Sequence, residues 1–185
     1  MICIIDCGTC WLEEIKNNVA ELNYPYKVIK LDEIKAGKFA SFSGIIISGA
    51  PTLLTKVEQE KYLELFKFIK NIDVPVLGIC LGHQIMGLVY RSRISAGKKI
   101  NKKERIEIVK QDDLFLNIEN NALFKEDHAE FITLPNEFIL LAKSKSCANE
   151  AMRHKRKVLY GLQFHPEVSN DNGNKIFRNF LNLCS

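Results

Sequence analysis

The segment Val76-Leu-Gly-Ile-Cys-Leu-Gly-His-Gln84 runs from an apolar strand pattern straight into a helical one, with a cysteine at the junction. A side chain on a sharp strand-to-helix turn is pushed outward on a strained backbone. The residues two places before and after it crowd together, and here they are Gly78 and Gly82. The start of the following helix stabilises an anion, which suits Cys80 to nucleophilic attack. The Leu81 N–H points where an oxyanion would form. Taken alone, the stretch also suits a buried structural cysteine in a glycine-rich turn.

A second segment, Tyr160-Gly-Leu-Gln-Phe-His-Pro-Glu-Val168, supplies what a cysteine nucleophile needs. Proline biases the residue before it, His165, toward extended geometry. Positions i and i+2 of an extended chain share a face, so Glu167 is placed to orient the His165 ring. Thiol, base and orienter are the three parts of nucleophilic acyl-transfer chemistry. Neither His165 nor Cys80 is decisive alone; together they point to a site.

The elements that must position these residues alternate along the chain. Continuous apolar runs at Ile2–Asp6, Phe42–Ser48 and Val74–Ile79 read as strands covered on both faces. Tyr26–Leu31 alternates and reads as another strand. Helical stripes occupy Trp11–Leu22, Val57–Ile72 and about Leu81–Tyr90. Beyond Ser92 the pattern changes: Arg105–Lys110 alternates, Phe131–Leu134, Phe138–Ala142 and Val158–Phe164 read as strands, Asn120–Glu130 is mixed, and Lys175–Leu183 is a closing helix. The early alternation predicts a parallel sheet between helical layers, and the later strands predict a smaller antiparallel extension.

With 185 residues, 46% hydrophobic and 26% charged, the chain is expected to form one domain, spanning residues 1–185, with a sizeable core. No apolar run approaches the roughly 20 residues of a membrane span, and the start, Met1-Ile-Cys-Ile-Ile-Asp6, lacks the basic region of a signal peptide. Lys98–Arg105 concentrates much of the +4 net charge. It reads as a solvated loop or strand edge, or as a docking surface for an acidic partner or nucleotide. No aromatics interleave with it, which argues against single-stranded nucleic acid.

Six cysteines, at 3, 7, 10, 80, 147 and 184, are irregularly spaced and read as reduced cytoplasmic thiols. Cys3, Cys7 and Cys10 share the spacing of an iron–sulfur motif, but Cys3 falls inside a buried strand where it cannot join the other two in a loop. No residue is read as a metal ligand.

Three segments in order, Ser48-Gly-Ala-Pro51, Gly78-Ile-Cys-Leu-Gly-His-Gln84 and Gln163-Phe-His-Pro-Glu167, resemble the signatures of class I (triad-type) glutamine amidotransferases. Within that family, Glu150-Ala-Met-Arg-His154 followed by Tyr160–His165 is most similar to the glutaminase subunit or domain of GMP synthase, which converts XMP to GMP. The resemblance implies a flavodoxin-like α/β sandwich. It also implies catalysis by Cys80, His165 and Glu167, oxyanion donors at Ala50 and Leu81, and glutamine held by Gly49, Gln84 and backbone near His128. The implied partner is an ATP-dependent synthetase that takes the ammonia; with no G-x4-G-K-[ST] run in the chain, ATP and Mg belong to that partner and this chain needs no cofactor.

The surroundings depart from the family pattern. Ala50 replaces a glycine before the proline and resists positive φ, which implies an oxyanion loop that flips less readily. Asp6-Cys-Gly-Thr-Cys10, Glu126-Asp-His-Ala-Glu130 and Lys98–Arg105 also differ from the usual runs. A stand-alone γ-glutamyl hydrolase of the same fold and a regulatory binding protein remain as alternatives.

Overall fold

The computed structural model describes residues 1–34 and 39–184. One nine-stranded sheet organises them. Five strands are parallel: β1 (Ile2–Asp6), β2 (Tyr26–Lys30), β3 (Gly44–Ile47), β4 (Val76–Ile79) and β9 (Leu159–Leu162), in the order β2-β1-β3-β4-β9. The sheet continues antiparallel through β8 (Ala151–His154), β7 (Phe138–Lys143), β5 (Ile94–Ile108) and β6 (Ala122–Ile132).

The helices are α1 (Leu12–Glu21), α2 (Gln59–Phe66), α3 (Leu81–Val89) and α4 (Asn170–Asn182). Alternate residues of the central strands serve opposite layers, as the two-residue pleat requires. Ile4, Ile46 and Leu77 pack with Ile15 and Val19 of α1 and Ile176, Phe177 and Phe180 of α4. Ile5, Ile45 and Ile47 pack on the other side with Phe66 of α2 and Ile85 and Met86 of α3. Each such side chain, fully buried, contributes about 1.5–3 kcal/mol, so the apolar strands are held from both faces. Among the described residues no helix is long and apolar enough to cross a membrane.

The expected α/β sandwich is present, and its parallel half lies close to where the sequence places it. The antiparallel half needs correction. The mixed stretch 120–130 is mostly strand, since β6 extends from Ala122 to Ile132, and the expected strand Phe131–Leu134 is only its end. The expected strand Arg105–Lys110 ends at Ile108, as the last part of a fifteen-residue strand that also contains the whole basic run Lys98–Arg105. β8 falls on Ala151–His154, where the sequence pattern predicts no strand. The helix expected over Val57–Ile72 is α2 followed by a 3-10 turn over Lys67–Lys70. The closing helix begins five residues early, at Asn170.

Candidate active site

The site gathers at the carboxyl ends of the parallel strands, where open α/β sheets place their ligands. At the end of β4, Cys80 has φ +47° and ψ −100°, a conformation that L-residues rarely adopt and that costs of order 1–3 kcal/mol. The crowding that calls for glycine is visible. A Cβ added at Gly78 would lie 2.6 Å from the Gly82 carbonyl group, so a side chain at position 78 would force the elbow open. Leu81 opens α3, and its N–H therefore has no intrahelical acceptor.

His165 follows β9 and is fixed by its own backbone. Its N–H donates to the Lys125 carbonyl at 2.8 Å, and its carbonyl accepts from Ser169 Oγ at 2.6 Å. The chain does not stay extended to Glu167, as the sequence predicts; Pro166–Val168 form a 3-10 turn with proline at its start. The turn still delivers the carboxylate, and Glu167 Oε1 lies 2.8 Å from His165 Nδ1. His165 Nε2 is buried without a hydrogen-bond partner. Burial opposes charge on this ring, but the Glu167 carboxylate and then Cys80 overcome it and hold the imidazole well above its ordinary value. A neighbouring imidazolium stabilises thiolate, the reactive form of a cysteine.

Gly49 seals the back of this group. A Cβ there would sit 3.0 Å from His165 Cε1 and 3.4 Å from Cys80 Cβ, so the loop lies directly on both residues. Ser48 Oγ accepts from the Cys7 N–H at 2.9 Å and donates to the Gly49 carbonyl at 2.9 Å, tying the loop to the end of β1. Neither Gly49 nor Ala50 has a positive φ, so alanine sits in this loop without strain.

A cavity of about 460 Å³ opens onto these residues, lined by Gly8–Trp11, Ala50–Leu53, Cys80, Gln84, Lys99, Asp127–Glu130 and His165. Cys80, His165, Ala50, Gln84 and His128, all singled out by the sequence, meet here. Gln84 lines the cavity and is itself held in place. Its Nε2 donates to the Glu130 carbonyl and to Gln163 Oε1, each at 3.1 Å, which leaves the amide oxygen as its remaining polar atom. The backbone beside His128 contacts the nucleophile itself, since Cys80 Sγ lies 3.8 Å from the Asp127 carbonyl.

Several further contributors are not assigned a role by the sequence. Trp11 stands edge-on to the His165 ring, with centroids 4.5 Å apart. Gln163 Nε2 approaches Cys80 Sγ at 3.6 Å. Glu130 accepts from the Leu54 and Thr55 N–H groups at 2.7 and 2.9 Å, pinning the segment after the Ser48–Pro51 turn to the cavity wall. The iron–sulfur spacing does not form a site: Cys3 and Cys7 are buried, Cys10 is exposed, all six thiols are free, and the one metal-capable cluster among the described residues contains no cysteine.

A sequence profile described as "Glutamine amidotransferase class-I" matches residues 3–184. The chain belongs to the class I glutamine amidotransferase family. Within it, the chain is 38% identical over 191 aligned positions to the glutamine-hydrolysing GMP synthase subunit of Pyrococcus furiosus, covering 100% of this chain and 98% of that protein. The protein of the same name from Methanosarcina barkeri is 40% identical, over 76% of this chain and 73% of its own. Among solved structures, a Thermoplasma acidophilum protein described as a candidate for the same GMP synthase subunit superposes with a TM-score of 0.91 at 28% identity, covering 99% of this amidotransferase and 92% of that chain. A glutamine amidotransferase of Thermotoga maritima shares the fold, with a TM-score of 0.78 at 20% identity over 98% of this chain and 82% of that one.

Proposed function

We propose that this chain is the glutaminase subunit of a GMP synthase, with Cys80, His165 and Glu167 as its catalytic residues, and that residues 1–185 act as a single domain. His165 takes the Cys80 proton, and the sulfur attacks the side-chain amide carbon of glutamine. The oxyanion is held by the Leu81 N–H and by an N–H of the Ser48–Pro51 loop, for which Ala50 is the candidate. The imidazolium returns its proton to the amide nitrogen, ammonia leaves, and a γ-glutamyl thioester remains. Water then gives a proton to His165 and attacks the thioester, releasing glutamate and restoring the thiol. Glu167 keeps the imidazole oriented and stabilises its charged form.

The observation that carries this reading is the His165 Nδ1–Glu167 Oε1 contact at 2.8 Å, with the opposite ring nitrogen unbonded and the ring packed beside Cys80 over one cavity. Gly49 and Gln84 border the substrate. These steps use protein groups alone, so ATP and Mg are assigned to the synthetase that amidates XMP. The free thiols suit a reducing compartment, and we place the enzyme in the cytoplasm.

Reconstitution tests the proposal. Mixed with an ATP-dependent XMP-amidating synthetase, the chain should make GMP from glutamine, with glutamate formed in equal amount. Glutamate release from γ-glutamyl peptides, with no GMP under any pairing, would instead identify a stand-alone hydrolase.

A further inference from the structure

Behind the cavity wall, three side chains that the glutaminase chemistry does not use converge in the interior. Glu126 and His128 are inward residues of β6, and Glu150 precedes β8. Glu126 and Glu150 are fully buried and His128 is 5% exposed. One donor atom from each lies within 4.8 Å of the others.

The hydrogen bonds around the cluster fix what faces inward. His128 Nδ1 lies 3.2 Å from the Glu130 carbonyl, a pure acceptor, so Nδ1 carries the proton and Nε2 presents a lone pair. Ser144 Oγ donates to Glu150 Oε1 at 2.6 Å, leaving Glu150 Oε2 turned to the cluster without a partner. Both Glu126 oxygens and His128 Nε2 are likewise buried without a hydrogen bond, although Glu126 Oε2 comes within 3.2 Å of that nitrogen. Donor atoms from three side chains therefore converge on one buried point. Buried polar atoms left unjoined cost about 1–3 kcal/mol each, and more when charged, so they call for a shared carboxyl proton or for a cation in its place.

We propose that Glu126, His128 and Glu150 bind a divalent cation of the zinc type, a structural ion that ties β6 to β8. Two carboxylates and an imidazole suit zinc and its first-row neighbours rather than magnesium or calcium, which favour all-oxygen shells. A ligating histidine that donates its other nitrogen to a carbonyl, and a ligating carboxylate steadied by a hydroxyl, form the supporting shell of such a site. Ligand bonds of roughly 2.0–2.2 Å call for the donors to close by about an ångström, within reach of side-chain rotation. Glu104 stands outside the set, because Ser146 and Lys102 already engage it. The ion would hold the strand whose Asp127 carbonyl meets Cys80 and whose Glu130 pins the Leu54–Thr55 turn.

Cobalt and zinc serve as probes on the full chain, stripped with a chelator and kept reduced. Co²⁺ should bind at one equivalent, giving weak d–d absorption and no thiolate charge-transfer band, and one equivalent of Zn²⁺ should erase that absorption. Zn²⁺ at a hundredfold excess over Kd should raise the thermal midpoint by about 5–10 °C. Glu126→Gln and Glu150→Gln should each abolish binding; both remove a buried acid and are expected to fold, and the wild-type titration decides the matter if either does not. Absence of stoichiometric cobalt binding would overturn the proposal. So would a thiolate band, which places the ion on cysteines, or full binding in the Glu126→Gln, Glu150→Gln double variant.

Discussion

His165 and His128 are both buried histidines with carboxylates beside them, yet they are prepared for opposite tasks. His165 gives Nδ1 to the Glu167 carboxylate and turns Nε2 toward Cys80; burial disfavours its charge, but Glu167 and Cys80 outweigh burial and raise its proton affinity. His128 gives Nδ1 to a backbone carbonyl, and its proton affinity is lowered, mainly by burial, against the opposing pull of Glu150. A carboxylate behind the ring makes a proton carrier, whereas a carbonyl behind it makes a neutral lone-pair donor. The acids differ in the same sense. Glu167 Oε1 meets its ring nitrogen at 2.8 Å, while burial pushes Glu126 up to about 8 and raises Glu150 well above the usual range. Proximity of histidine to carboxylate therefore says little until the partner of each ring nitrogen is known.

The largest effect is expected at the group that His165 serves. Cys80→Ser should lower glutamine turnover by about 10³-fold or more, because a hydroxyl lacks thiolate character at neutral pH; steady-state glutamate release with the synthetase present measures it. If the serine variant keeps more than a tenth of the wild-type rate, another nucleophile is at work.

Next comes the carboxylate that separates the two histidines. Glu167→Gln should slow turnover by roughly 10²–10⁴ while leaving the fold intact. It should also leave a signature in stability. The folded-state proton affinity of His165 is raised above its ordinary 6.5, so the pair's stabilisation is full below that value and is lost as pH rises through the higher folded-state value. The stability gap between wild type and Glu167→Gln in denaturant melts should accordingly be wider at pH 6 than at pH 10. A gap independent of pH would mean that Glu167 does not hold the proton on His165.

The smallest effect belongs to the oxyanion loop. Ala50 sits at negative φ, and conformers with positive φ cost alanine about 1 kcal/mol more than glycine. If the donor must rotate into place, Ala50→Gly should raise the basal rate of the isolated chain about fivefold and reduce its stimulation by the synthetase. Equal rates in both proteins would show that the loop is already set.

Legibility in the sequence follows the same contrast. The elbow is readable because its geometry demands glycines at 78 and 82, and the parallel strands because burial on both faces leaves an uninterrupted apolar run. The His165–Glu167 pair is readable as residues in a motif, although its geometry is not: a 3-10 turn rather than an extended segment brings the carboxylate round. β6 is hidden because the inward positions of its alternation, Phe124, Glu126, His128, Glu130 and Ile132, are mostly polar, so its buried face does not look buried. β5 is hidden for the opposite reason, with long stretches of exposed lysines along a strand. The roles of Trp11, Gln163 and Glu130 depend on contacts across the sheet that no local pattern encodes.

The glutaminase chemistry depends on Cys80 being the group that His165 activates, and covalent labelling tests this most directly. A diazoketone analogue of glutamine, followed by peptide mass mapping, should add once per chain at Cys80 despite five other free thiols, with labelling slowed in Glu167→Gln. Label on Cys10, the exposed thiol at the cavity mouth, with Cys80 unmodified, would contradict it.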